Sequence, residues 1–248
     1  MLRAVRFAAK LNFGIEKKTA KAIPKCAHLL REIPAARLFD EFLKLFLSGY
    51  GAATLEQLLK YDLLQYLFDE TSHLLHQDAH SLALVRAAMA NTDKRIAEDK
   101  PVTPAFILAA LLWPVASRLA TQLEGRGDAP MVAIHNAAQQ TISEAGSQIS
   151  IPRRFSQPMR EIWEYQLRLQ RRQGKKAAEL VEQRRFRAAY DFLLLREQAG
   201  EETDGLGAWW TEFQTLNMDQ RMEQAGNGPG KSGRRRRPRR RRNPKQET

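Results

Sequence analysis

The chain has 248 residues and a net charge of +12, from 40 Lys/Arg against 28 Asp/Glu, with an ordinary hydrophobic share of 43%. That length supports one or two cores, no apolar run nears the roughly 20 residues a bilayer span requires, and no secretory leader is visible. The single cysteine, Cys26, excludes an internal disulfide, suits a reducing cytoplasm and is expected as a small buried hydrophobe.

The charge is unevenly placed. Residues 231–248 carry ten Lys/Arg and one Glu, and residues 153–187 carry eleven Lys/Arg and four Glu, so the rest is slightly acidic. Two basic zones on a near-neutral body point to a polyanionic partner.

In chain order, the start Met1-Leu2-Arg3-Ala4-Val5-Arg6-Phe7-Ala8-Ala9-Lys10-Leu11 has no cap or polar lead-in. It reads as the middle of a helix whose earlier turns lie elsewhere. Arg3 and Arg6 stand at i and i+3 on one side of that helix, where two guanidiniums either stay solvated or clamp a phosphate chain. Phe7, Leu11 and Phe13 are expected to pack on the opposite side.

Helical periodicity continues through Leu38, Phe42, Leu45 and Phe46, then Leu55, Leu58, Leu59 and Leu63, then Leu82, Val85, Ala88 and Met89. It resumes at Ile162, Tyr165 and Leu169, and at Tyr190, Leu193 and Leu194. Stops are expected at Pro34, at residues 48–51, 100–104, 125–128 and 150–152, at Gly174 and at residues 205–207. The fold class predicted is all-α, with roughly ten to twelve helices by this periodicity. From Gln224 onward the composition is too polar to offset ordering entropy, and that tail is expected to be disordered.

Arg37, Asp40, Glu41 and Lys44 offer i,i+4 pairs, Arg37 with Glu41 and Asp40 with Lys44, expected to brace a helix. The basic stretch supplies Arg153, Arg154, Arg160, Arg168, Arg171, Arg172, Lys175, Lys176, Arg184, Arg185 and Arg187, with Trp163, Tyr165, Phe186 and Tyr190 interleaved. Its cations suit phosphates. Its aromatics either stack on unpaired bases or, as their spacing among leucines favours, pack a core. Arg234, Arg235, Arg236, Arg237, Arg239, Arg240, Arg241 and Arg242 form a polycation able to hold RNA loosely.

Three patterns are set aside. Residues 225–232 fit the loose form of a P-loop but have no flanking strand and helix. His73, His76 and His80, at i, i+3 and i+7, lack partners for a recognisable zinc site. Asp62, Asp69 and Glu70 lack the close pairing of a two-metal site.

The opening string resembles the Leu-Arg-Ala-x-Arg-Phe-Ala neck motif of class II polynucleotide nucleotidyltransferases, the bacterial poly(A) polymerases and CCA-adding enzymes. Residues 33–44 resemble the next neck motif, and residues 91–96, 104–106, 151–154, 171–175, 186–191 and 209–214 resemble bacterial poly(A) polymerase in particular. The resemblance covers about residues 1–215. It implies a neck and RNA-binding helical domain at 1–75, a helical body at 76–148, a basic helical leg at 149–223 and the tail at 224–248. It further implies Arg3 and Arg6 at the nucleotide cleft, and an intact enzyme that adds adenylates from ATP to RNA 3′ ends with Mg²⁺.

The family's catalytic Gly-Ser turn and Asp-x-Asp pair have no counterpart here, since Gly146-Ser147 falls in helical context. The chain alone is therefore expected to bind no cofactor and to be inactive. Expected partners are single-stranded RNA 3′ ends and acidic RNA-decay proteins, with no membrane, for a cytoplasmic monomer. A stand-alone RNA-binding module and a fragment of a tRNA CCA-adding enzyme are the alternatives.

Overall fold

Proline and glycine punctuate the chain where stops are expected, and helices fill the intervals. The computed structural model describes residues 1–226, with no strand among them. Thirteen α-helices follow in order: α1 Leu2–Leu11, α2 Lys17–Cys26, α3 Ala35–Phe46, α4 Gly51–Lys60, α5 Asp69–Gln77, α6 Ala79–Ala97 and α7 Pro104–Gly125. Then come α8 Pro130–Gln148, α9 Arg153–Leu169, α10 Lys175–Leu180, α11 Phe186–Gln198, α12 Leu206–Phe213 and α13 Met218–Gly226. Short 3-10 segments span Ala27–Glu32 and Leu64–Tyr66. The short α10 and α13 take the count past the expected range. The apolar periodicity of six- and nine-residue helices is too brief to stand out.

One core runs from Leu2 to Leu195. Phe42 is its hub, 5.3 Å from Phe46 and 5.7 Å from Phe68 by ring centroids. Phe39 meets Phe155 at 5.7 Å and ties α3 to α9. α7 is the central helix, packed by α5, α6, α8 and α9. Its 22 residues pass through Pro114 and are long and apolar enough to cross a membrane by length and composition. Half of that apolar window is buried under neighbouring helices, as in the core helix of a globular fold.

A second core gathers Tyr165, Leu169, Phe186, Tyr190, Trp210 and Phe213. Trp209 stacks on Phe213 at 4.2 Å, and the Trp210 indole donates to the Leu169 carbonyl at 2.8 Å, fixing α12 across the end of α9. α13 seals it: Ala225 is buried, and Arg221 reaches the Glu182 carboxylate and the Gln214 carbonyl. The chain is thus helical to Gly226, two residues beyond the Gln224 at which the tail was expected to start.

Two helices take their N-terminal caps from distant carboxylates. Asp93 on α6 accepts from the Gly51 and Ala52 amides at 2.7 and 2.9 Å, filling the cap that Tyr50 cannot supply to α4. Glu197 on α11 accepts from the Gly207 amide at 2.7 Å and holds Thr203, starting α12. Both contacts are charge-assisted hydrogen bonds to helix N-termini, where the dipole favours an anion.

Candidate nucleic-acid interface

α1 and α3 cross in the neck with their polar faces toward one another. The i, i+3 spacing on α1 and the i, i+3, i+4, i+7 spacing on α3 bring Arg3, Arg6, Arg37, Asp40, Glu41 and Lys44 around one cleft of about 470 Å³. The two arginines of α1 and the four brace residues of α3 are therefore in one place. The pairing inside it differs from expectation. Lys44 donates to Glu41 Oε1 at 2.8 Å, an i,i+3 contact, instead of pairing with Asp40, and no ion pair joins Arg37 to Glu41 among the described residues.

The other Glu41 oxygen, Oε2, is buried without a partner, and so is Arg6 Nε. A buried donor and acceptor left unpaired each cost about 1–3 kcal/mol. Beside the cleft, these two atoms are thus left with hydrogen-bonding capacity that no described group uses. Phe7, Leu11 and Phe13, expected to pack, are instead 45%, 50% and 68% exposed, because α1 buries its Leu2/Val5 side and they lie off it. Cys26, expected to be buried, is exposed at the end of α2.

The leg divides its cations into two sorts. Some are consumed internally: Arg185 pairs with Glu161, Arg187 with Asp191 at 3.0 Å, Lys175 with Glu179 at 3.2 Å, and Arg172 donates to the Asp204 carbonyl. Burial pushes the Glu161 carboxyl up, but hydrogen bonds from Arg185 and Gln157 and the charges of Arg185 and Arg160 outweigh it, leaving it below its usual value. Arg153, Arg154, Arg168, Arg171, Lys176 and Arg184 are exposed and in no ion pair among the described residues. Arg154 lies 4.8 Å over the Phe155 ring and Arg168 4.7 Å over Tyr165, which holds their guanidiniums in place.

The interleaved aromatics belong to the cores. Trp163, Tyr165, Phe186 and Tyr190 are 0–6% exposed and cannot stack on a base. The Trp163 indole donates to Ala109, Tyr165 to Gln183, and the Tyr190 hydroxyl pairs with Thr211. Arg184 and Arg187 instead line a cleft of about 240 Å³ with Asn91 and Arg95 of α6, residues not singled out as site residues from the sequence. Their i,i+4 spacing on a polar face was the available signal.

The histidine set does not assemble. Asp78 ends α5 and caps α6 through the His80 and Ser81 amides at 3.1 and 3.0 Å, so His80 sits on a different helix from His73 and His76. The Ser81 hydrogen bonds hold the Asp78 carboxyl below its usual range. Among the described residues no three His, Cys, Asp or Glu are placed to hold a metal ion. Gly146-Ser147 lies within α8. The eight arginines from 234 to 242, and nearly all of the P-loop-like string, lie outside the described residues.

The geometry defines an all-helical protein that offers cations in separate clefts. Two family signatures match it: "Probable RNA and SrmB- binding site of polymerase A" over residues 12–75, and "Polymerase A arginine-rich C-terminus" over residues 126–244. Poly(A) polymerase I of Salmonella typhi is 40% identical over 97% of this chain and 54% of its own length. The Escherichia coli O157:H7 protein is 41% identical with the same coverage. A CCA-adding enzyme of Lactococcus lactis is 46% identical over only 28% of this chain and 17% of its own. The chain belongs to the poly(A) polymerase family. It spans about half the length of the curated poly(A) polymerases it matches.

Proposed function

We propose that this chain is the RNA-holding portion of an enzyme that adds adenylates from ATP to RNA 3′ ends in the cytoplasm, as a step linked to RNA decay, and that it does not catalyse alone. The supporting observation is the convergence of Arg3, Arg6, Arg37 and Lys44 on one neck cleft whose Arg6 Nε and Glu41 Oε2 lack partners. Two arginines facing a shared space suit the oxygens of a triphosphate. Asp40 and Glu41 keep the cleft from being a uniform anion sink, and Glu41 holds Lys44 by an ion pair at 2.8 Å. The inactivity of the chain alone rests on its sequence, in which the family's catalytic Gly-Ser turn and Asp-x-Asp pair have no counterpart. In the intact enzyme, Mg²⁺ would supply activation of the 3′-hydroxyl and charge neutralisation at the leaving pyrophosphate.

The leg's unpaired arginines add phosphate contacts without sequence choice. Acidic RNA-decay proteins are the protein partners this basic surface would accept. The L. lactis CCA-adding relative matches only 28% of the chain, which favours the polyadenylating reading over the tRNA-maturing one.

The test is direct. The pure chain should bind single-stranded oligo(A) with an affinity that falls roughly tenfold or more between 50 and 200 mM salt, and should show no adenylation with ATP and Mg²⁺. Turnover by the chain alone would refute the inactivity. Preference for a folded tRNA acceptor end over oligo(A) would move the protein to the CCA-adding side of the family.

A further inference from the structure

A second cleft, of about 620 Å³, opens where α8 begins, α9 ends and α10 starts. Its size lies within the range of small-molecule sites. One wall is apolar: Met131, Leu167 and Leu180 line it, and Met131 is 39% exposed. The rim carries Arg168, Arg171 and Lys176. Glu179, the acidic side chain in the lining, is already neutralised by Lys175 at 3.2 Å, so the three rim cations are unbalanced.

The rim is also fixed in place. Tyr165 sits beneath the Arg168 guanidinium at 4.7 Å, and the Arg171 amide donates to the Arg168 carbonyl at 3.1 Å. Gly174 turns the chain at φ +77°, a conformation costly for other residues, and its amide donates to the Ala225 carbonyl at 2.9 Å. The Gln183 carbonyl oxygen is taken by the Tyr165 hydroxyl at 3.0 Å, which leaves the Gln183 amide hydrogens to face a ligand.

Cations alone would make a site for any polyphosphate. An exposed methionine beside them adds something a phosphate does not use, namely a soft apolar surface that fits a planar ring. We infer that this cleft seats one nucleotide of a single-stranded RNA, its base against Met131, Leu167 and Leu180 and its phosphates on Arg168, Arg171 and Lys176. This rests on the RNA-holding reading above and deepens it, because it makes the leg a built subsite where a mere coat of positive charge would have no pocket.

Met131→Ser separates the two. Its side chain is partly exposed, so the fold should survive, which helical circular dichroism checks. With the full chain and a 20-nucleotide oligo(A) probe, Met131→Ser should weaken binding about fivefold or more, with the salt slope unchanged. The triple variant R168Q/R171Q/K176Q should lower that slope by about 2. Unchanged affinity in Met131→Ser, with weakened binding in the triple variant, would overturn the seat while leaving RNA binding intact. Failure of the unaltered chain to bind oligo(A) would overturn both readings.

Discussion

The neck cleft and the leg cleft are both basic, yet they are built differently. In the neck, four cations share their space with Asp40 and Glu41, and the lining is charged throughout. In the leg, three cations ring an apolar wall and the one carboxylate is already paired. A fully charged cleft recognises charge and its geometry, as a triphosphate presents them. A half-apolar cleft recognises a body with a charged end, as a nucleotide within a strand does. This chain carries cations in both settings, and the lining beside them tells the two apart.

The comparison can be broken most severely through the leg's support. A side chain on Gly207 would meet the Glu197 carboxylate that caps α12, with the Leu194 methyl 2.8 Å away. Gly207→Ala should cost about 2–3 kcal/mol through overpacking and a damaged cap. Hydrogen exchange should then show α9–α13 loosened while α1–α8 stay protected. Equal loosening of the neck would mean that the two clefts are not independently supported.

Removing the neck's distant cap should do the reverse at smaller size. Asp93→Ala strips the partners of the Gly51 and Ala52 amides and should destabilise by about 1–2 kcal/mol, read as a lower urea midpoint. Because α1 packs on α4, the neck cleft should feel it first.

Acid provides a milder probe of the leg. The Glu161 carboxyl titrates below its usual 4.5 when folded, so its contribution is complete above that value and fades as the pH drops through the folded value. Glu161→Gln should therefore flatten the acid limb of the stability curve, while leaving stability above pH 4.5 lowered. An unchanged acid limb would show that Arg185 contributes nothing there. The smallest effect belongs to Lys44→Ala, which breaks an exposed pair and should cost no more than about 0.5 kcal/mol in a thermal melt. A larger loss would mean that the neck cleft is strained by its unpartnered Arg6 and Glu41 atoms.

The fold was largely legible in the sequence, because its signals are local. Pro34, Gly51, Pro104 and Pro152 stand at or beside helix starts, and the Leu38/Phe42/Leu45/Phe46 stripe is fully buried. The grouping of the six neck residues was not read from the sequence, which treated Arg3 and Arg6 apart from the Arg37–Lys44 brace, because which faces of two helices meet is decided by tertiary packing. Partner choice was not legible either. Glu41 lies within reach of Lys44 at i+3 as well as of Arg37 at i−4, and the rotamers that decide between them depend on tertiary packing.

The leg was harder still. Arg185 finds Glu161, 24 residues away, and a charge run gives no hint of which cations are spent internally. Met131 carries no basic signal at all, and it joins the cleft only because α8 begins beside the end of α9. The histidine spacing, set aside from the sequence, is split in the structure because Asp78 ends one helix and caps the next, a change of axis that a periodic count runs straight through.

The Asp93 cap also has a consequence for how the protein is made. The first turn of α4 is completed by a carboxylate 42 residues further along the chain. At synthesis rates of about 5–20 residues per second, that carboxylate follows Gly51 by roughly 2–8 s. Until then the start of α4 must find water for its amides, so the neck cannot take its final shape before the body has been translated. The order of manufacture thus makes the neck wait for the scaffold behind it.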